Sequence, residues 1–173
     1  MAGRASGGGV TVRAITHTAE ETIALGERLG RELQSGDVLV LTGDLGAGKT
    51  QLTKGIARAL GVGGAVTSPT FTIQMVYHGR DLDLNHFDLY RLEHADQLED
   101  TGLYDALGSD GVCVIEWGEQ FADEIGDERL DAILTRLDEA AVPGEEPPRA
   151  IELAPHGLRA EEIVSRLAGK PAR

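Results

Sequence analysis

The sequence predicts an α/β protein with three layers, α/β/α, around a mixed, mainly parallel sheet that includes an antiparallel hairpin. Three observations lead there. The runs Val38-Leu39-Val40-Leu41 and Val112-Cys113-Val114-Ile115 are short, apolar and continuous, as strands buried on both faces are. Between such runs lie stretches with apolar residues at helical spacing. Two further strand-like segments, Phe71–Tyr77 and Leu82–Phe87, are separated only by His78-Gly79-Arg80-Asp81, which reads as a hairpin.

The chain of 173 residues suits one domain, expected over residues 10–168, with a disordered leader at 1–9 and a flexible tail at 169–173. A hydrophobic content of 41% supports a core, and 4% aromatics means that Leu, Val, Ile and Ala build it. No apolar run approaches the roughly 20 residues of a membrane span. The leader lacks the apolar stretch of a signal peptide. The single Cys113 cannot form an internal disulfide and reads as a small buried hydrophobe, which suits a cytoplasmic location. The net charge of −13 and the scarcity of lysine (Lys49, Lys54 and Lys170) weigh against a sequence-independent grip on a phosphate backbone. Any nucleic-acid role is therefore expected to run through a partner protein.

In chain order, 10–16 alternates weakly and reads as a first strand. Thr18-Ala-Glu-Glu21 fits a capping box. The helix it opens runs to about Gln34 on a stripe of Ile23, Leu25, Leu29 and Leu33. Ser35-Gly36-Asp37 turns the chain into the buried strand 38–41. After the glycine loop, Leu52, Ile56, Ala59 and Leu60 form the inner face of a helix over 51–60, which Gly61 ends with Val62 as its hydrophobic follow-on. Thr67-Ser68-Pro69-Thr70 is a turn before the hairpin. Residues 92–107 are acidic and partly helical, broken near Gly102. They read as a solvated face, or as a docking surface for a basic partner. Residues 111–117 return to a buried strand. Residues 129–137 fit strand or helix, with strand favoured. Residues 138–148 are a long polar loop, 150–153 a short strand and 157–168 a final helix.

The chemistry starts from Gly43-Asp44-Leu45-Gly46-Ala47-Gly48-Lys49-Thr50, which matches G-x-x-x-x-G-K-[ST] between a strand and a helix. Gly43, Gly46 and Gly48 keep side chains clear of an anion wrapped by backbone N–H groups. The following helix points its positive N-terminal end at the same place. Lys49 would reach the β- and γ-phosphates and Thr50 would hold Mg²⁺. The fold expected is thus P-loop NTPase-like. Hydrolysis needs a second metal ligand and a group that positions water. Glu116 directly follows the buried strand 112–115 and suits the metal role, either directly or through a bound water. Asp88 closes the second hairpin strand. It could hold a metal-bound water, orient the nucleophile, or cap a turn. His86 and Tyr90, which flank it, read as buried, hydrogen-bonded structural residues. Ser68, Pro69, Thr70 and Phe71 occupy the place of a γ-phosphate-sensing switch, with a plain Pro-containing turn as the alternative.

Four motifs, Gly43–Thr50, Ser68–Phe71, His86–Leu92 and Ile115–Glu119, stand in an order and spacing that resemble the bacterial TsaE (YjeE) family over roughly 10–167. The resemblance implies a small ATPase of tRNA threonylcarbamoyladenosine synthesis that uses Mg²⁺ and hydrolyses ATP slowly. It implies the partners TsaB and TsaD, with TsaD carrying out the transfer to the adenosine beside the anticodon and tRNA met through that complex. It places Lys49 and the loop on the phosphates, Thr50 and Glu116 on Mg²⁺, Asp88 as the catalytic acid and Trp117 near the site. Arg149 matches a late nucleotide contact, and Thr18 the adenine edge. Gln51 stands where the family often has a second Thr, and the 138–148 loop is longer than usual. An alternative from another class is an ATP-gated assembly module with incidental hydrolysis. A small-molecule kinase ranks below both, because no Arg-rich lid segment appears between the motifs.

Overall fold

A computed structural model describes residues 11–169; the expected leader at 1–9 and most of the tail at 169–173 lie outside them. The described chain forms a seven-stranded sheet of order β1-β7-β6-β2-β5-β4-β3. The strands are β1 Val12–Thr16, β2 Val38–Thr42, β3 Gln74–Tyr77, β4 Leu84–Asp88, β5 Val112–Glu116, β6 Arg129–Arg136 and β7 Arg149–His156. The helices are α1 Ala19–Glu32, α2 Lys49–Ala59, α3 Leu103–Leu107, α4 Ala122–Ile125 and α5 Gly157–Leu167. The four central strands pair in parallel, β6 with β2, β2 with β5 and β5 with β4. Antiparallel pairs flank them: the expected β3–β4 hairpin on one side, and β6–β7 and β7–β1 on the other.

Strand alternation makes the three layers. Leu39 and Leu41 of β2, with Val112 and Val114 of β5, pack against Leu29, Leu52, Ile56 and Ile163 of α1, α2 and α5. Val38, Val40, Cys113 and Ile115 face the opposite way, onto Leu98, Leu103, Phe121 and Ile125. Successive residues of a strand point to opposite faces, so a strand covered on both sides must be apolar throughout. That is why these runs lack a polar alternate.

Helices α1 and α2 cross in close contact. A Cβ on Gly26 would collide with the Leu52 carbonyl oxygen, and one on Gly55 with that of Ile23. Thr18 is the N-cap of α1, accepting the Glu21 amide at 3.1 Å. The second half of the expected box differs: Glu21 reaches back to the His17 amide, at 2.7 Å, one residue before the cap. Helix α2 ends in a Schellman arrangement, with Val62 N–H on the Ala57 carbonyl, Gly61 N–H on that of Arg58, and Gly61 at φ 77°.

The structure corrects several expected boundaries. Residues 71–73 are turn rather than strand, and Ile73 takes φ 67°. The strand expected at 150–153 extends over 149–156 because β6 pairs with it along its whole length. Residues 119–125 contain a 3-10 turn and the short α4, which no periodic pattern announces. The acidic stretch is a 3-10 helix at Ala95–Thr101, then α3, with Gly102 at φ 81° between them.

Candidate functional site

The sheet brings the candidate residues to one edge. Leu41 of β2 is level with Glu116 of β5, and Glu116 with Asp88 of β4, so the glycine loop and both carboxylates share the C-terminal ends of parallel strands. Parity turns them the same way. Val112 and Val114 face the α2 side, which puts Glu116 there, and Leu84 puts His86 and Asp88 there. A cleft of about 450 Å³ lies above, lined by 45–51, Ser68, Thr70, Asp88, Tyr90, Glu116, Trp117 and Arg149.

Helix α2 begins at the loop with Gly48 as N-cap, at φ 105° and with no side-chain cap. Its first-turn amides therefore face the cleft, where Lys49, Thr50 and Gln51 form part of the wall. Lys49 is buried. Its ammonium donates to the Gly43 carbonyl and stands 3.7 Å from the centroid of the Trp117 ring. Burial holds its pKa below the usual lysine value, while the carboxylates of Glu116, Glu119, Asp88 and Asp44 act in the opposite direction. Trp117 has φ 59°, an unusual conformation for a non-glycine residue, and its ring also packs against Tyr90 at 5.0 Å.

The two carboxylates are buried, Asp88 at 4% exposure and Glu116 at 2%. One hydroxyl joins them: Ser68 Oγ lies 2.9 Å from Asp88 Oδ2 and 2.9 Å from Glu116 Oε2. Thr70 Oγ1 donates to Asp88 Oδ2 at 3.2 Å, and the Tyr90 amide donates to Asp88 Oδ1 at 3.0 Å. Glu116 Oε1 meets His86 Nε2 at 3.3 Å. Asp88 thus caps the turn after β4 and faces the cleft at once, so its two expected roles are compatible.

Arg149 reaches the site from β7, at the far side of the sheet. Its Nη2 donates to the Gly46 carbonyl at 3.3 Å, its Nη1 lies 3.3 Å from Glu146, and its stem lies over Gly48. The fit needs glycine at 48: a Cβ there would meet Arg149 Cδ at 3.2 Å. Other expected residues stand apart from the cleft. Thr18 is outside its lining, two residues beyond Thr16, which pairs with Arg149. Gly43 and Asp44 line a separate depression with Leu45, residues 133–136 and Asp138. Within the switch segment, Ser68 and Thr70 enter the cleft. Pro69 is buried behind it and Phe71 points outward at 81% exposure, under the Arg91 guanidinium. Tyr90 departs from the expected buried role, being 63% exposed and part of the wall.

Fold and site together define an α/β protein of the P-loop NTPase-like class, and the comparisons agree. The chain superposes on the crystal structure of Bacillus subtilis YdiB with a TM-score of 0.78 at 33% identity, covering 95% of this chain and 98% of that one. The family described as "Threonylcarbamoyl adenosine biosynthesis protein TsaE" matches residues 16–142. Among curated relatives, the tRNA threonylcarbamoyladenosine biosynthesis protein TsaE of Treponema pallidum is 46% identical over 66% of this chain and 84% of its own. That of Bacillus subtilis is 44% identical over 70% and 75%, and that of Streptomyces coelicolor 44% identical over 84% and 98%. The chain belongs to the TsaE family, whose role is in tRNA threonylcarbamoyladenosine biosynthesis. No helix among the described residues is long and apolar enough to cross a membrane.

Proposed function

We propose that the cleft binds Mg-ATP and hydrolyses it to ADP and phosphate, slowly in the isolated protein. Turnover would support threonylcarbamoyl transfer to adenosine 37 of ANN-decoding tRNAs by a TsaB–TsaD complex in the cytoplasm. One observation carries this reading: two buried carboxylates, linked through Ser68, stand in the same cleft as the glycine loop and Lys49. An anion cradle alone needs no such acids; phosphoryl transfer does.

The α2 amides and Lys49 hold the phosphates. Arg149 steadies the loop through Gly46, and as a lining residue of the cleft its guanidinium would meet the nucleotide. The donor set fits Mg²⁺. Thr50 and Glu116 line the cleft and would supply one oxygen ligand each, and among the described residues no three His, Cys, Asp or Glu side chains group into an all-protein metal cage. Mg²⁺ takes the rest of its shell from phosphate oxygens and water in such sites. Bound there, it would neutralise charge developing on the phosphates. Asp88 is the acceptor that orients the attacking water, its carboxylate fixed by the Tyr90 amide. A net charge of −13 favours contact with tRNA through the complex rather than directly.

The test is ATP binding and turnover with and without the partner complex. Lys49→Ala and Glu116→Ala should lose hydrolysis while remaining folded; normal turnover in both would sink the assignment. Asp88→Ala should keep ATP binding and lose turnover by about 10²-fold or more, as general-base groups contribute. A second reading, ATP-gated assembly, has its own support. The segment whose Ser68 and Thr70 bind the two acids also presents the exposed Phe71. Capture of the partners with ATP, ADP or no nucleotide separates the two, and equal capture in all three states removes gating.

A further inference from the structure

We propose that His86 is a positioning residue whose Nε2–H holds the Glu116 carboxylate aimed at the mouth of the glycine loop. This rests on the reading of Glu116 as a ligand for Mg²⁺. His86 lies in β4, is 0% exposed, and meets Glu116 Oε1 at 3.3 Å across the β4–β5 pair. Its other ring nitrogen, Nδ1, is buried without a hydrogen-bond partner. That asymmetry assigns the proton. A neutral imidazole carries one N–H and one bare nitrogen. With the proton on Nδ1, a buried N–H would go unpaired and the Nε2 lone pair would face the carboxylate oxygen. With it on Nε2, the donor meets an anionic acceptor, the stronger kind of hydrogen bond.

The consequence for Glu116 follows from its other contacts. Its Oε2 accepts from Ser68, which belongs to the segment 67–73 and is shared with Asp88. Ser68 sits outside the strands, whereas His86 is built into the sheet through β4. An outer ligand partner on a rigid strand keeps the carboxylate from swinging away and lowers the cost of binding the metal.

The test uses the full chain and its single tryptophan, Trp117, which reports on the site through its contact with Lys49. Fluorescence is titrated with Mg²⁺ in the presence of the non-hydrolysable β,γ-imido analogue of ATP. His86→Phe keeps the ring volume and removes the donor; its Mg²⁺ midpoint should rise about 10- to 100-fold, the usual loss for such partners. Analogue binding in EDTA should stay unchanged. His86→Gln returns a donor within reach and should restore most of the Mg²⁺ affinity. An unchanged midpoint in His86→Phe, or equal impairment of both variants, overturns the proposal. A wild-type chain that never responds to Mg²⁺ overturns the reading of Glu116 instead, and this proposal with it. Long-range ¹H–¹⁵N correlations of the ring in wild-type protein give a measurement that needs no variant. A proton on Nε2 is expected, and a bare Nε2 overturns the assignment.

Discussion

Replacing Ser68 by alanine isolates the contact on which the site's geometry turns. The hydroxyl has one proton and two buried carboxylate oxygens at 2.9 Å, so the proton is shared between Asp88 and Glu116. Without it, Asp88 keeps the Thr70 hydroxyl and the Tyr90 amide, while Glu116 keeps only His86. The loss therefore falls mainly on Glu116. Hydrogen bonds to charged groups contribute about 1.5–3 kcal/mol, and that is the destabilisation expected. In a chain of this size each kcal/mol moves Tm by about 2–4 °C, so Tm should fall by about 3–12 °C. Urea unfolding should show a lower midpoint at an unchanged slope. Thr70→Val provides the comparison, since it removes one longer bond, 3.2 Å, from the better-served acid. It should cost about 1 kcal/mol. If Ser68→Ala is as stable as wild type, or less damaging than Thr70→Val, the shared-proton argument is wrong.

Other consequences can be measured without any ligand. Gly55→Ala should destabilise the fold by about 1–3 kcal/mol, because its methyl would overlap the Ile23 carbonyl and force α1 from α2. Gly63→Ala, with open space around the added carbon, is the matching control, and equal melting of the two would contradict the helix-crossing argument. Burial pushes the Cys113 thiol up to about 12, so the native protein should resist thiol reagents at pH 8 and react only on unfolding. The same shift has a definite sign in stability. The unfolded thiol ionises first, so its contribution is complete below the ordinary value of 9.0 and is lost as pH rises through about 12. Cys113→Ala should therefore show a shallower loss of stability over that range, as read by urea midpoints.

Much of this fold is legible in the chain because its elements carry local causes. Continuous apolar runs at 38–41 and 112–115 read as strands covered on both faces, and they are. Thr18 and Gly61 mark helix ends by their own hydrogen bonding and backbone freedom, and both do so here. The glycine loop announces itself for the same reason: its backbone needs are met by residues next to one another. What escaped the sequence depended on distant neighbours. Strand β7 is twice as long as its apolar run suggests because β6 supplies partners along its length. Residues 71–73 left the hairpin because the chain turns there: Ile73 takes φ 67° and its amide bonds to the Pro69 carbonyl, so only its carbonyl, which accepts the Asp88 amide at 2.9 Å, continues the pairing with β4.

The division is clearest at the site. The sequence by itself nominated Lys49, Asp88 and Glu116 as candidates, because each sits at the end of a recognisable strand or loop. The tertiary structure alone decided that Ser68 would bridge two acids from different strands, that His86 would back one of them, and that Arg149 would arrive from the far side of the sheet to lie on Gly46 and Gly48. Those contacts join residues up to 103 positions apart. Their distances depend on strand order and register, which come from packing the whole sheet between its helices rather than from any local pattern.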